Sequence, residues 1–150
     1  MKNRFILIFL FSIVLIGFIN DQFGSTENRK YEVRGKVEKL SPFQNKSLIV
    51  TNRSVPFKDA SVLIIPGKVK HLSHSTFIQI SKIESPEIYT SSDKLGEFKV
   101  ELAPGEYTFF LVINKMGYLN SFDKYGNFTS ILIDSNMDDL IITDFRGAVF

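Results

Sequence analysis

His71 and His74 stand in the order His-Leu-Ser-His. Spacing of three residues brings both onto one face of a helical turn, and imidazole is a common zinc ligand. Zinc requires at least a third protein ligand, usually Cys, His, Asp or Glu. The chain has no Cys and no further His. The nearest acids are Glu84 and Glu87, and Pro86 between them prevents a regular geometry. The pair reads as solvated loop histidines, and neither a metal nor a cofactor is expected. Ser, His and Asp all occur, but no Gly-x-Ser-x-Gly elbow presents a nucleophile. No Gly-rich phosphate loop is present. The absence of Cys removes a thiol catalyst, a thiolate metal site and a disulfide framework. With no acid, base and nucleophile set visible, the chain is read as a non-enzyme.

Charge narrows the partners. The 150 residues carry a formal net charge of +2, and Lys2 and Arg4 account for the excess. From Tyr31 onward, basic and acidic residues balance at fourteen each. A nucleic-acid binder needs a clear basic excess, so none is expected. The distribution is uneven: residues 31–90 hold nine Lys and Arg against five Asp and Glu, and residues 91–150 hold five against nine. Fifteen Phe, five Tyr and 44% hydrophobic residues exclude a disordered chain.

The elements that must position any site begin with Phe5–Ile19, FILIFLFSIVLIGFI. This stretch has no charge, follows Lys2 and Arg4, and is apolar all round, which predicts a hydrophobic helix. A basic flank before an apolar core fits a secretory signal, with the remainder exported. No clean small-x-small triplet follows, and fifteen apolar residues fall slightly short of a full span. Residues 1–23 are therefore a signal peptide or an N-terminal membrane anchor through residues 5–19, and both alternatives stay open. Residues 24–30 are a polar linker, and 31–150 form one domain outside the cytoplasm.

That domain reads as strands and turns. Alternation places Val33, Gly35 and Val37 on one face of a strand over 31–39, against Arg34, Lys36 and Glu38. Further strands are expected over 59–65, 97–102, 106–113, 128–133 and 140–145. All five prolines fall in turns or at strand starts. Segments 41–54 and 68–87 read as two insertions, the second with an extra strand or hairpin over 76–83. No internal repeat is evident. Short strands with regular turn signals predict a β-sandwich.

The run Ser92–Tyr118, SDKLGEFKVELAPGEYTFFLVINKMGY, carries a more specific pattern. Asp93 is placed to accept from backbone N–H groups two residues on. Gly96 and Gly105 supply backbone freedom, and Pro104 presets a turn. Phe98 and Tyr107 then point inward. Ser92-Asp93, Gly96, Phe98, Pro104-Gly105, Tyr107 and Gly117-Tyr118 together resemble the carboxypeptidase regulatory-like domain. That family is a prealbumin-like (transthyretin-like) sandwich. Val33-x-Gly35-x-Val37 resembles its first strand, and Val55–Val62 its second. The resemblance implies an all-β, seven-strand Greek-key β-sandwich, here with two insertions and preceded by the hydrophobic helix. Related adhesin domains form a Lys–Asn crosslink with a buried Glu. The equivalent position here is Leu111, which cannot shuttle the proton, so no isopeptide bond is expected. Hydrolases on this fold end in Tyr-Arg-Gly-Ser. Here Phe145-Arg146-Gly147 is followed by Ala148, a chance likeness.

The strand over 106–113 is apolar on both faces, with Phe110 and Val112 on the side opposite Tyr107, Phe109 and Leu111. A two-sheet sandwich should show a polar outer face. Either the insertions cover this side, or Phe110 and Val112 form an interface with a partner. The resulting expectation is a non-catalytic extracytoplasmic module that binds an envelope protein or scaffolds the envelope. The alternative is a carbohydrate-binding module for an envelope polysaccharide, using Tyr89, Tyr118, Phe122 or Tyr125 as sugar platforms.

Overall fold

The computed structural model describes residues 29–44, 50–70 and 75–148. His71 and His74, the apolar segment with its expected helix, and most of the linker lie outside the described residues. Among these residues no helix is long and apolar enough to cross a membrane. The described residues form a nearly all-β domain that divides into two sheets.

The first sheet is organised by β1 (Tyr31–Gln44). Inward Val33, Gly35 and Val37 alternate with outward Arg34 and Lys36, as the period-two pattern requires. On one edge, residues 31–36 pair antiparallel with β6 (Glu97–Leu102). Farther along the same edge, residues 38–44 pair with β2 (Val50–Pro56). On the opposite edge, residues 33–39 pair in parallel with β10 (Met137–Asp144). This sheet is therefore three strands wide. Of the segment 41–54, expected as an insertion, residues 41–44 continue β1 and 50–54 belong to β2.

The second sheet centres on β7 (Gly105–Ile113). One edge pairs with β3 (Ser61–Pro66), which in turn pairs with β5 (Ile88–Ser91). The other edge is shared by β8 (Met116–Tyr118) near one end and β9 (Ile131–Ile133) near the other. β4 (Phe77–Gln79) pairs outside β8 and leads into a single 3-10 turn, Ile80–Lys82. Ten strand segments form among the described residues. Strand β5 and the short β8 were not expected, and β9 begins at Ile131 rather than Phe128.

The main core fills the space between the sheets. Val33, Val37, Val62, Ile64, Phe98, Phe109, Leu111 and Ile142 are buried there together. A second cluster lies on the far side of the second sheet, where Leu63, Ile65, Phe110 and Phe128 pack against Val69, Ile78, Ile80, Ile83, Val112 and Leu119. Phe110 is 0% exposed, with its ring edge-on to Phe128 at 4.9 Å. Val69, the segment 78–83 and Leu119 after β8 thus cover the outer apolar face. The expectation of an interface at Phe110 and Val112 is corrected: Phe110 is core, and Val112 is half-buried against the same cluster. A strand apolar on both faces is stable here because both faces are excluded from water.

Candidate functional site

The motif residues are brought together as a frame rather than as a reactive centre. Asp93 accepts from the backbone N–H groups of Leu95 (2.8 Å) and Glu97 (2.9 Å), while Gly96 turns at φ +77°. Phe98 then enters the core opposite Gly35. Ser92, also buried, donates to the Phe57 carbonyl (2.7 Å) and accepts from the Ala60 N–H (2.9 Å), tying this turn to the start of β3. Pro104 is exposed, Gly105 opens β7, and the Tyr107 hydroxyl donates back to the Ala103 carbonyl (3.0 Å). Gly117 packs below the Phe110 ring, where a Cβ would come within 3.2 Å of it.

The same turn occurs a second time. Asp93-Lys-Leu-Gly-Glu-Phe98 is matched by Asp123-Lys-Tyr-Gly-Asn-Phe128. Asp123 accepts from the N–H groups of Tyr125 and Asn127, both at 2.9 Å, and Gly126 lies at φ +81°. Each Gly N–H also returns to its Asp carbonyl, at 3.1 Å and 3.0 Å. Phe98 is buried between the sheets, and Phe128 beneath the covering segment. The sequence reading of no internal repeat is corrected at this level. Burial pushes the Asp123 carboxyl up, but the Asn127 and Tyr125 donors, with Lys68 nearby, leave it below the usual carboxylate range.

Near the end of β10, Tyr118 and Asp144 close one corner. The Tyr118 hydroxyl accepts from the Phe145 N–H at 3.3 Å, and the Arg146 guanidinium lies 5.8 Å from the ring centre. Asp144 is 5% exposed and takes two guanidinium donors from Arg146, at 2.9 and 2.8 Å. Burial alone would raise the Asp144 carboxyl, but Arg146 outweighs it and holds the group low. Burial raises the Tyr118 hydroxyl, with the Phe145 donor opposing.

Two open features flank β10. On the outer face of the first sheet, a groove of about 670 Å³ runs across Arg34, Lys36, Glu97, Lys99, Asp138 and Asp139. Beside it, Glu32 bonds both Lys99 and Arg34, and within it Lys36 lies 3.3 Å from Glu97. The Lys99 contact lowers the Glu32 carboxyl most, and with Arg34 it outweighs the opposing effect of burial. The register slips between Val33↔Met137 and Gly35↔Leu140, so β10 bulges at Asp138-Asp139. Both carboxylates are exposed, and neither has a salt-bridge or hydrogen-bond partner among the described residues. The second feature is a cleft of about 320 Å³ on the other side of β10. Phe109, Asn120, Ser121, Thr129 and Ile131 line it together with Leu140–Thr143.

Among the described residues no group of three His, Cys, Asp or Glu is arranged to hold a metal. The candidate sugar platforms do not converge. Tyr118 is buried, and Tyr89 is bonded to Glu87 on β5, at the opposite side of the second sheet. Phe122 and Tyr125 are exposed in the second Asp-Gly turn. The unpartnered acids of the β10 bulge were missed in sequence because a bulge carries no local signature there.

These observations define a two-sheet, nearly all-β domain with a charged groove beside a free strand edge. No family model matches the sequence, and no curated protein matches it. One similar solved structure is that of a proposed carbohydrate binding protein from Pseudomonas aeruginosa. It is 11% identical, with 76% of this chain and 88% of that chain covered and a TM-score of 0.39. Similarity at that level carries no argument about this chain.

Proposed function

We propose that the chain is a non-catalytic binding module of the cell envelope that engages a protein partner through the first sheet and its β10 edge. The observation that carries this reading is the pair Asp138 and Asp139, exposed on a bulge beside the mixed-charge groove and without an ion pair among the described residues. Charges displayed in this way favour complementary partners and steer their approach. The covered second sheet removes the apolar-face route to association, so the first sheet and its edge are the better docking region.

The family reading is a proposal of the same kind: a prealbumin-like, Greek-key carboxypeptidase regulatory-like domain. It is supported by the Asp93–Phe98 turn, the Pro104-Gly105 corner and the inward Val33-Gly35-Val37 face. An extracytoplasmic address, with residues 1–23 as signal or anchor, rests on the Lys2-Arg4 flank and the apolar run Phe5–Ile19. The polysaccharide alternative is weaker because the aromatic side chains it would use are scattered or buried.

The test is capture on the immobilised full chain in mild detergent, with native envelope extract offered before and after protease digestion. Retained material that disappears on digestion supports a protein partner. Retained material that survives digestion, or no retention at all, overturns this reading.

A further inference from the structure

The two sheets differ in width on the β10 side. The first sheet ends at β10, while the second continues past β7 to β8 and β9. Contacts place β10 over β7 and β5 over β6, so among the described residues no strand of the first sheet lies beside β10 opposite the β8 and β9 lane. The 320 Å³ cleft lies at this position. Its lining includes four consecutive β10 residues, Leu140, Ile141, Ile142 and Thr143. Successive side chains of a strand point to opposite faces, so four in a row border one space only along the strand's edge. The cleft is therefore an edge opening.

The edge is guarded only at its two ends, by the bulge at Asp138-Asp139 and by the buried carboxylate of Asp144. Strand edges are ordinarily blunted by Pro, Lys, inward charge or very short length. β10 spans Met137–Asp144 without Pro or Lys. Its bulge is confined to Asp138-Asp139, leaving Leu140–Thr143 regular. Ile141 is 60% exposed. At the far side of the cleft, the Ser121 and Thr129 hydroxyls bond each other at 2.8 Å, and Phe109 and Ile131 form an apolar floor.

Resting on the protein-binding reading above, we propose that the free edge of β10 accepts an extended segment of a partner protein as an added strand. Main-chain hydrogen bonds to β10 supply its affinity, and alternate side chains supply selectivity. Side chains facing the cleft are apolar. Those near the bulge are Lys or Arg, because Asp138 and Asp139 are acidic and have no ion-pair partner among the described residues. A second copy fits less well, since β10 itself carries no Lys or Arg and a paired β10 edge brings no cation to the bulge.

The experiment uses the full chain in detergent micelles and a soluble peptide that alternates Lys with Val. The readout is residue-resolved amide hydrogen exchange. With bound peptide, the β10 amides that face away from β1 should exchange at least tenfold more slowly, with the free edges of β2 and β5 unchanged. A peptide N-methylated at alternate residues should not protect them, and a Glu-Val peptide should bind at least tenfold more weakly. The double charge reversal Asp138→Lys with Asp139→Lys should invert the preference between the Lys-Val and Glu-Val peptides. These two side chains are exposed and unpartnered, so the variant should keep the fold.

No binding of the Lys-Val peptide, binding without β10 protection, or an unchanged preference in the double variant would overturn the proposal. Protection of β10 that rises with protein concentration, without peptide, would assign the edge to a second copy and also overturn it. Envelope-protein capture that persists equally in the double variant and in the presence of excess Lys-Val peptide would leave the general binding reading standing and remove strand addition.

Discussion

Phe98 lies directly opposite Gly35 across the β1–β6 pair, and its ring occupies the space a side chain at residue 35 would need. Ring atoms Cζ and Cε1 come within 2.6 Å and 2.7 Å of an ideal Cβ on Gly35, and the Leu140 carbonyl oxygen within 2.4 Å. The relationship ties three strands at one point, because Leu140 belongs to β10. An aromatic ring over a glycine in the neighbouring strand restores the packing that the glycine lacks.

Gly35→Ala should therefore be costly. Neither the ring nor the carbonyl can move without disturbing a strand pair, and overpacking of this kind costs about 3 kcal/mol. Gly67→Ala is a useful comparison: nothing lies within 4 Å of its Cβ position, and only its φ of +84° opposes a side chain. That change should cost about 1 kcal/mol. Urea unfolding of both variants checks the difference.

Phe110→Ser should act on stability. The side chain is fully buried against Phe128 and the covering segment. Removing a buried ring costs about 3–5 kcal/mol, and the buried hydroxyl adds to this unless it finds a partner. Chemical denaturation should show the loss. Sedimentation of the remaining folded fraction should be unchanged, as expected for a core residue rather than an interface residue.

The two Asp-Gly turns should respond alike. Asp93→Ala and Asp123→Ala each remove an acceptor for at least two backbone N–H groups. The donors are near solvent and can turn to water, so each variant should lose only about 1–2 kcal/mol. Thermal unfolding should show comparable losses. A much larger loss at Asp93 would mean that its turn also governs how β1 and β6 pair.

The pH dependence should report on Asp144. Its folded carboxyl is held below the unfolded value, so its contribution to stability is present above the ordinary carboxylate range and is lost as pH falls through and below it. In Arg146→Met, burial acts without the guanidinium and should raise the folded carboxyl above its unfolded value. The charged form would then be disfavoured near neutrality, with relief on acidification. The stability gap between wild type and variant should therefore narrow from pH 7 to about pH 3. Denaturant midpoints measured across that range decide it, and a constant gap would contradict the assignment.

Much of the frame follows from local chemistry. The alternation of Val33, Gly35 and Val37 with charged neighbours is enough to make a half-buried strand. The span Glu97–Leu102 alternates just as clearly, and β6 occupies the same residues. Asp93 and Gly96 form a turn because an acceptor and a left-handed residue stand at the right separation. The matching Asp123–Phe128 turn was equally legible, but it follows no clear strand and so was passed over. Other features had no local signal. Val50–Pro56 is polar and Pro-ended, and it becomes β2 only because β1 continues past β6 and offers an edge. The fate of Phe110 depended on Val69, Ile78, Ile80 and Ile83 packing over it, which the alternation of its own strand cannot encode. The acidic bulge arises from a mismatch in register between β1 and β10, two strands separated by most of the chain. Sequence by itself determined strand character and turn chemistry, because those depend on neighbours a few residues apart. Tertiary structure alone decided which apolar face was covered and which strand edge was left free, because both depend on the order and width of the sheets.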